Sequence, residues 1–166
     1  NEDLPSMNVR LNKILSSRAF FQPKRYVFSK DLALDWNAPF FKLPGHKVVV
    51  TSKSSLPKSA KGLKNISLLN CKSKGHYLDP NYFVKKISRL PVNNILLESG
   101  PRLLGSFGDN NLIDEFIFYV SPEKLGKQAE YFYNGRKKIN FFDNKQFDIV
   151  EEIQVGKDKK IILRKK

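Results

Sequence analysis

The sequence predicts an α/β fold in which helices cover a mixed, mostly parallel central sheet and the chain finishes in an antiparallel hairpin. Segments typical of strands and of helices alternate between residues 25 and 120. Lys47–Thr51 contains three consecutive valines, the pattern of a strand buried on both faces, as in parallel sheets. Phe147–Val155 and Lys159–Arg164 alternate in polarity on either side of a Gly-Lys-Asp turn, which indicates the hairpin.

The other predicted elements follow from local signals along the chain. A helix begins at Asp79-Pro80, because Asp caps helices and Pro suits the first helical position. It extends to about Leu90, since Phe83, Ile87 and Leu90 share one face. A second helix is predicted near Leu103. The remaining predicted strands are Arg25–Phe28, Ile66–Leu69, Asn94–Glu98 and Glu115–Val120, and the irregular or turn segments are Asp35–Pro39, Leu43–His46 and Ser52–Lys64.

Length and composition indicate one globular domain over residues 1–166, with 40% hydrophobic residues. The single cysteine, Cys71, excludes an intrachain disulfide and a cysteine-based zinc site, and it is interpreted as a small residue near a strand end. No apolar run approaches the roughly 20 residues that cross a bilayer. No secretory leader begins at Asn1. We therefore expect a cytoplasmic protein with no membrane partner and no metal.

The net charge of +14 would favour any polyanion. However, the lysines are scattered along the chain, with neither zinc-finger spacing nor an aromatic-basic motif of the RNA-binding type. Solvated lysines are therefore the preferred interpretation, and a nucleic-acid partner is not expected.

The segment Asn94–Phe107 combines a short apolar strand, the carboxylate of Glu98, and a Ser-Gly-Pro turn that leads into a helix. Gly100 lets a ligand approach the backbone, and Pro101 suits the start of a helix, whose free amides attract phosphate. The carboxyl end of such a strand is where α/β sheets bind ligands. The pattern predicts a carboxylate beside a phosphate cradle, although an ordinary turn before a helix has the same residues.

In five stretches, Leu96–Phe107, Leu112–Pro122, Glu2–Arg10, Gln22–Val27 and Ile153–Asp158, the sequence resembles the reductase domain of bacterial riboflavin-biosynthesis deaminase–reductases, which has the dihydrofolate-reductase-like three-layer fold. The most specific is Leu96–Phe107, which reads LLESGPRLLGSF, and Leu112–Pro122 follows it. Glu2–Arg10 is similar to the acidic-Pro-x-Leu-x-x-Arg segment of the family, Gln22–Val27 to its Gln-Pro-x-Arg strand, and Ile153–Asp158 to its last hairpin.

The resemblance implies an NADPH-dependent reductase of 5-amino-6-(5-phosphoribosylamino)uracil, a phosphorylated pyrimidine-ribose, with hydride transfer to C1 of the ribosyl group. It also implies a homodimer. Members of the family carry a strand and a helix before the Glu2–Arg10 segment, so we expect these elements to lie outside this sequence. The sequence holds neither a His-x-Glu nor a Pro-Cys-x-x-Cys motif, so any zinc deaminase domain is expected to lie outside it too.

The resemblance also assigns candidate site residues, none of them as catalytic. Arg10 would grip the substrate phosphate, Glu98 would hold the sugar or assist protonation, and Met7 would contact substrate through its backbone. Lys30 would contact the adenosine side of the cofactor, or Ser29 if the register slips by one. The cofactor-binding candidates in full are Asp3, Lys30, Gly100, Pro101, Arg102, Leu103, Leu104, Gly105 and Ser106.

Two alternatives remain at this point. The first is a reductase of the same fold that acts on a pterin, in which Arg10 would have no phosphate to bind. A catalytically silent, basic RNA- or partner-binding domain would instead use the +14 charge. Binding to heparin that weakens steeply with salt, with no thermal shift from NADPH, would favour the second alternative.

Overall fold

The computed structural model of the protein describes residues 23–143 and 145–166. The chain divides into two compact units, Asn1–Phe83 and Val84–Lys166. The strands of the first unit are β1 (Arg25–Phe28), β2 (Lys47–Thr51), β3 (Ile66–Asn70), β4 (Ser73–Lys74) and β5 (Tyr77–Leu78), and its short helix is α1 (Pro39–Lys42). Helix α2 (Pro80–Ile87) contains the boundary, and the second unit then has α3 (Pro101–Asp109), β6 (Glu115–Val120), β7 (Phe147–Val155) and β8 (Asp158–Lys165).

The first unit is built on a parallel sheet with strand order β1-β2-β3. The central strand β2 is buried along its whole length, because it has a neighbour on each side and apolar side chains on both faces. Its Val49 packs with the aromatic side chains of Trp36, Phe40 and Phe41 in one core cluster. The valine run thus occupies the position that its composition predicts.

Two buried cations fix the amino-terminal edge of this sheet. Arg25 and Lys47 stand opposite each other in the β1–β2 register, and both are 2% exposed. Arg25 donates to the carbonyl of Pro44, and the Lys47 ammonium donates to the carbonyl of Leu43. Burial lowers the pKa of both groups, and the charge of Arg25 lowers that of Lys47 further. The Arg of the Gln-Pro-x-Arg motif therefore holds the 43–44 turn against the sheet.

The second unit is built on an antiparallel sheet with strand order β6-β8-β7. The central strand β8 buries Leu163 completely, in a cluster with Phe116 and Phe147 of the two flanking strands. Strands β7 and β8 join through a two-residue turn at Gly156, whose φ of 62° suits glycine. A register shift between Ile149 and Glu151 marks a bulge in β7.

The structure confirms most of the predicted elements. The predicted strands at 25–28, 47–51, 66–69, 115–120 and 147–155 are present, with β3 one residue longer and β8 running over Asp158–Lys165. Both predicted helices form, and Cys71 is buried directly after β3. No helix among the described residues has the length and apolar character needed to cross a membrane.

The predicted strand Asn94–Glu98 is wrong. This segment contains no strand, and within the described residues it has no ladder partner. Ile95 and Leu96 are 50% and 71% exposed. The prediction relied on a run of only three apolar residues, and a strand forms only where another strand satisfies its backbone groups.

Three smaller predictions also need correction. The predicted helix over 79–90 ends at Ile87, because Leu90 precedes Pro91 and proline disfavours a helical residue before it. The segment taken as irregular, Asp35–Pro39, leads into α1, which starts at Pro39. The hairpin β4–β5 was not predicted; its strands are only two residues long and its turn holds Gly75 at φ 64°.

Candidate functional site

The amino terminus of α3 is an open set of hydrogen-bond donors. Gly100 occupies the N-cap position with extended backbone (φ −67°, ψ 169°), and no side chain caps the helix. Pro101 has no amide hydrogen, and Leu104 donates to the carbonyl of Gly100 at 3.2 Å. The amides of Arg102 and Leu103 therefore have no acceptor within the helix. Two amides and the positive end of the helix dipole favour an anion here.

The residues around this helix start leave room for a ligand. A Cβ added at Gly100 would meet nothing within 4 Å. The hydroxyl oxygen of Ser99 is buried, and it has no hydrogen-bond partner within the part of the chain that the structure describes. Because a buried hydroxyl is costly to leave unpaired, Ser99 fits a position that hydrogen-bonds a bound group. We call Ser99 through Leu103 the cradle.

Glu98 precedes the cradle directly and is exposed to solvent. Its carboxylate is therefore open to solvent beside the cradle, but it does not lie at the end of a strand as the sequence predicts. Of the other predicted cofactor residues in this segment, Arg102 is exposed, Leu103, Leu104 and Ser106 are half-buried, and Gly105 is buried.

Close packing fixes the position of α3. A Cβ at Gly105 would lie under 3.0 Å from the backbone of Asn134 and Gly135. The amide of Asn134 donates to the carbonyl of Pro101 at 3.0 Å. Gly105 therefore serves the contact between helix and loop, and this contact holds the first turn of α3 in place.

A carboxylate anchors the other end of the helix. Asp109 accepts hydrogen bonds from the amides of Arg136 (2.9 Å) and Lys137 (2.8 Å), and the Arg136 guanidinium lies 3.6 Å away. Burial alone would raise the pKa of Asp109, but the two amides and the Arg136 charge outweigh it and lower the pKa. Burial, together with the neighbouring Asp109 charge, raises the pKa of Tyr133 to about 12.

Asp109→Asn should lower the free energy of unfolding by about 1.5–2 kcal/mol at neutral pH, because it removes charge from two hydrogen bonds. Since the folded pKa is lowered, the stabilisation by Asp109 is fully present above its unfolded pKa and disappears as the pH falls through the folded value. Urea denaturation at several pH values measures this slope. Equal acid slopes in the two proteins would contradict the anchor.

Lys30 is the predicted cofactor residue of the first unit that the structure describes, and it lies two residues after the end of β1. Its ammonium donates to the carbonyl of Gly75 at 3.1 Å and stays exposed. The backbone carbonyl of Lys30 accepts hydrogen bonds from the hydroxyls of Thr51, the last residue of β2, at 2.8 Å and of Ser52, which follows β2, at 3.0 Å. Ser29 donates its amide to the carbonyl of Val50 at 2.9 Å. The carboxyl edge of the parallel sheet thus presents polar groups.

Sequence reasoning missed the buried hydroxyl of Ser99 and the hydrogen bonds from Thr51 and Ser52 to Lys30. Thr51 and Ser52 had a usable signal, because a buried valine run that ends in Thr-Ser brings two hydroxyls to the edge where α/β sheets bind ligands. Ser99 had none, since its burial depends on the tertiary structure. Three predicted residues, Asp3, Met7 and Arg10, lie outside the described residues.

The chain is similar in sequence and in fold to known proteins of riboflavin biosynthesis. The family model described as the RibD C-terminal domain matches residues 1–157. The riboflavin biosynthesis protein RibD of Buchnera aphidicola subsp. Baizongia pistaciae is 32% identical over 144 residues, which are 87% of this chain and 38% of that protein. The 5-amino-6-(5-phosphoribosylamino)uracil reductase of Buchnera aphidicola subsp. Acyrthosiphon pisum is 26% identical over 173 residues, 99% of this chain and 81% of that protein.

A solved structure of RibD from Acinetobacter baumannii has a TM-score of 0.72 with this chain. The identity is 22%, and the match covers 96% of this chain and 42% of that one. This likeness in fold confirms the predicted fold class. The chain thus spans about two fifths of the length of both RibD proteins described here.

Proposed function

Because the chain belongs to the family of RibD C-terminal domains, we propose that it reduces 5-amino-6-(5-phosphoribosylamino)uracil with NADPH in riboflavin biosynthesis. The observation that carries the proposal is the cradle. Its uncapped helix start, open glycine and buried unpaired hydroxyl lie in the segment whose sequence is most specific to the family. NADPH, rather than NADH, is proposed from the family resemblance and from the exposed ammonium of Lys30.

The residues of the cradle fit a dinucleotide. The amides of Arg102 and Leu103 are positioned to donate to pyrophosphate oxygens, and the Ser99 hydroxyl supplies one more hydrogen bond. A side chain at the N-cap position lies beside the amides of the second and third helical residues, so the glycine leaves these amides accessible. When bound, the nicotinamide supplies the hydride.

The residues of this chain bind and orient the sugar. Arg10 is proposed to grip the 5-phosphate through its bidentate guanidinium, and Glu98 to accept hydrogen bonds from the ribosyl hydroxyls. In the reaction C1 of the ring-opened ribosyl group gains hydride and the adjacent nitrogen gains a proton, which turns the C1–N double bond into a single bond. Orientation of C1 is the main contribution of the protein, with proton donation near Glu98 as a second role.

We also propose a cytoplasmic homodimer. The outer face of the antiparallel sheet carries Ile117, Tyr119 and Ile153, which are 49%, 62% and 46% exposed, and this supports self-association. The single, buried Cys71 fits a reducing compartment. Sedimentation velocity of the protein tests the dimer, and a monomer at micromolar concentration would exclude it.

Glu98→Ala and Arg10→Ala should each lower kcat/KM for this substrate by about tenfold to thirtyfold, as expected for the loss of a hydrogen bond to a charged group. NADPH oxidation by the full chain measures the rate. Glu130→Ala and Arg89→Ala, which remove exposed charges elsewhere, are the matched controls. Unchanged rates in both site variants would exclude the assignment.

The two alternative functions predict different results. Faster turnover of a pterin than of the phosphorylated substrate would support the pterin reductase. Heparin binding that weakens with salt, without any thermal shift from NADPH, would support a catalytically silent binding module.

A further inference from the structure

The second unit contains a cavity of about 670 Å³ at the end of α3 opposite the cradle. Gly108, in the last turn of the helix, forms part of its wall, whereas Gly100 precedes the first turn. A nine-residue helix is about 13 Å long, so the cavity and the cradle are separate places. Small-molecule sites have volumes of roughly 300–1,000 Å³, and this cavity falls within that range.

Five lysines line the cavity, and three separate segments bring them together. Lys137 and Lys138 come from the loop that anchors Asp109, Lys145 precedes β7, and Lys165 and Lys166 end the chain. No aspartate or glutamate is among the lining residues that the structure describes. A concave surface with one sign of charge concentrates its field and attracts small ions of the opposite sign. We call this site the lysine cavity.

Few of these charges are neutralised by the protein. Lys166 pairs with Asp148 at 3.2 Å, and Lys165 donates to the carbonyl of Asn111 at 3.2 Å. Over residues 23–143 and 145–166, the ammonium groups of Lys137, Lys138 and Lys145 make no ion pair. The nearby carboxylate of Asp109 is held by two backbone amides and by Arg136.

The floor of the cavity is apolar. Phe116 and Phe147, each 6% exposed, contribute to it together with Ile113 and Ile139. An apolar floor under a cationic rim suits a compact molecule with several negative charges better than an extended chain, which needs a long groove. We propose that the lysine cavity binds a multiply phosphorylated small molecule, with its phosphates held by Lys137, Lys138 and Lys145.

Titration of the full chain with inorganic triphosphate tests the proposal. We expect saturable binding at low salt, and binding of orthophosphate at least tenfold weaker. The double substitution Lys138→Gln/Lys145→Gln should weaken triphosphate binding by about tenfold, because each exposed ion pair contributes a few-fold. Lys127→Gln/Lys157→Gln removes the same two charges from exposed positions outside the cavity and should change affinity less than twofold.

Three results would overturn the proposal. Equal losses in the two double variants would mean that diffuse charge holds the anion, and absence of saturation would mean that there is no site. The third result concerns single-stranded RNA. If RNA binds without competition from triphosphate, and both double variants weaken it equally, the basic charge serves nucleic acid instead. Triphosphate affinity should be unchanged in Gly100→Val, which separates the lysine cavity from the cradle.

Discussion

Gly105→Ala should lower the free energy of unfolding by about 2 kcal/mol and the melting temperature by about 4–8 °C. The added Cβ would lie under 3.0 Å from backbone atoms of Asn134 and Gly135. Backbone gives way less easily than a flexible side chain, so overpacking of this kind costs about 3 kcal/mol. The higher helix propensity of alanine offsets about 1 kcal/mol of it. Thermal and urea denaturation of the full chain measure the effect.

Gly126→Ala is the matched control. A Cβ at Gly126 would meet nothing within 4 Å, so this variant should stay within about 0.5 kcal/mol of the unchanged protein. The Gly105 variant should also bind NADPH more weakly, because the loop that it displaces is hydrogen-bonded to Pro101. Equal stability of the two glycine variants would show that the helix–loop contact yields without cost.

Local patterns predicted the elements whose stability is determined locally. The valines of β2 are apolar on both faces, which only a strand with two neighbours and two covered faces accommodates. The β7–β8 hairpin needs a glycine with positive φ at its turn, and Gly156 supplies it. The first turn of α3 was predicted for a similar reason, since Gly100 and Pro101 fit its start irrespective of distant residues.

Features that depend on distant residues were not predictable in this way. The Asn94–Glu98 strand was wrong because apolar character shows what a segment can bury but not which strand it will pair with. The Asp109 anchor joins residues 27 and 28 positions apart, and nothing in the sequence links that carboxylate to those amides. The lysines were read as scattered, whereas the fold gathers five of them around one cavity.

Gly100→Val should weaken the binding of NADPH at least about a hundredfold while costing the free protein little stability. The backbone at Gly100, with φ of −67° and ψ of 169°, is open to any residue, and its surroundings leave space for a side chain. The free energy of unfolding should therefore fall by no more than about 1 kcal/mol, the usual cost of a poorer N-cap residue. An N-cap side chain reaches the amides of the second and third helical residues, so the apolar valine would stand beside the amides of Arg102 and Leu103. Loss of two hydrogen bonds to phosphate, about 1.5 kcal/mol or more each, raises the Kd at least about a hundredfold.

The thermal shift caused by NADPH measures this directly, because a ligand that binds only the folded protein stabilises it by RT ln(1 + [L]/Kd), so a higher Kd gives a smaller shift. Gly126→Val adds the same side chain at another open glycine and should keep the full shift. A Gly100 variant that folds normally and still binds NADPH would remove the cradle from the cofactor site. Gly105 and Gly100 thus show two kinds of constraint: Gly105 is needed for the protein to pack, and Gly100 only for a ligand to approach.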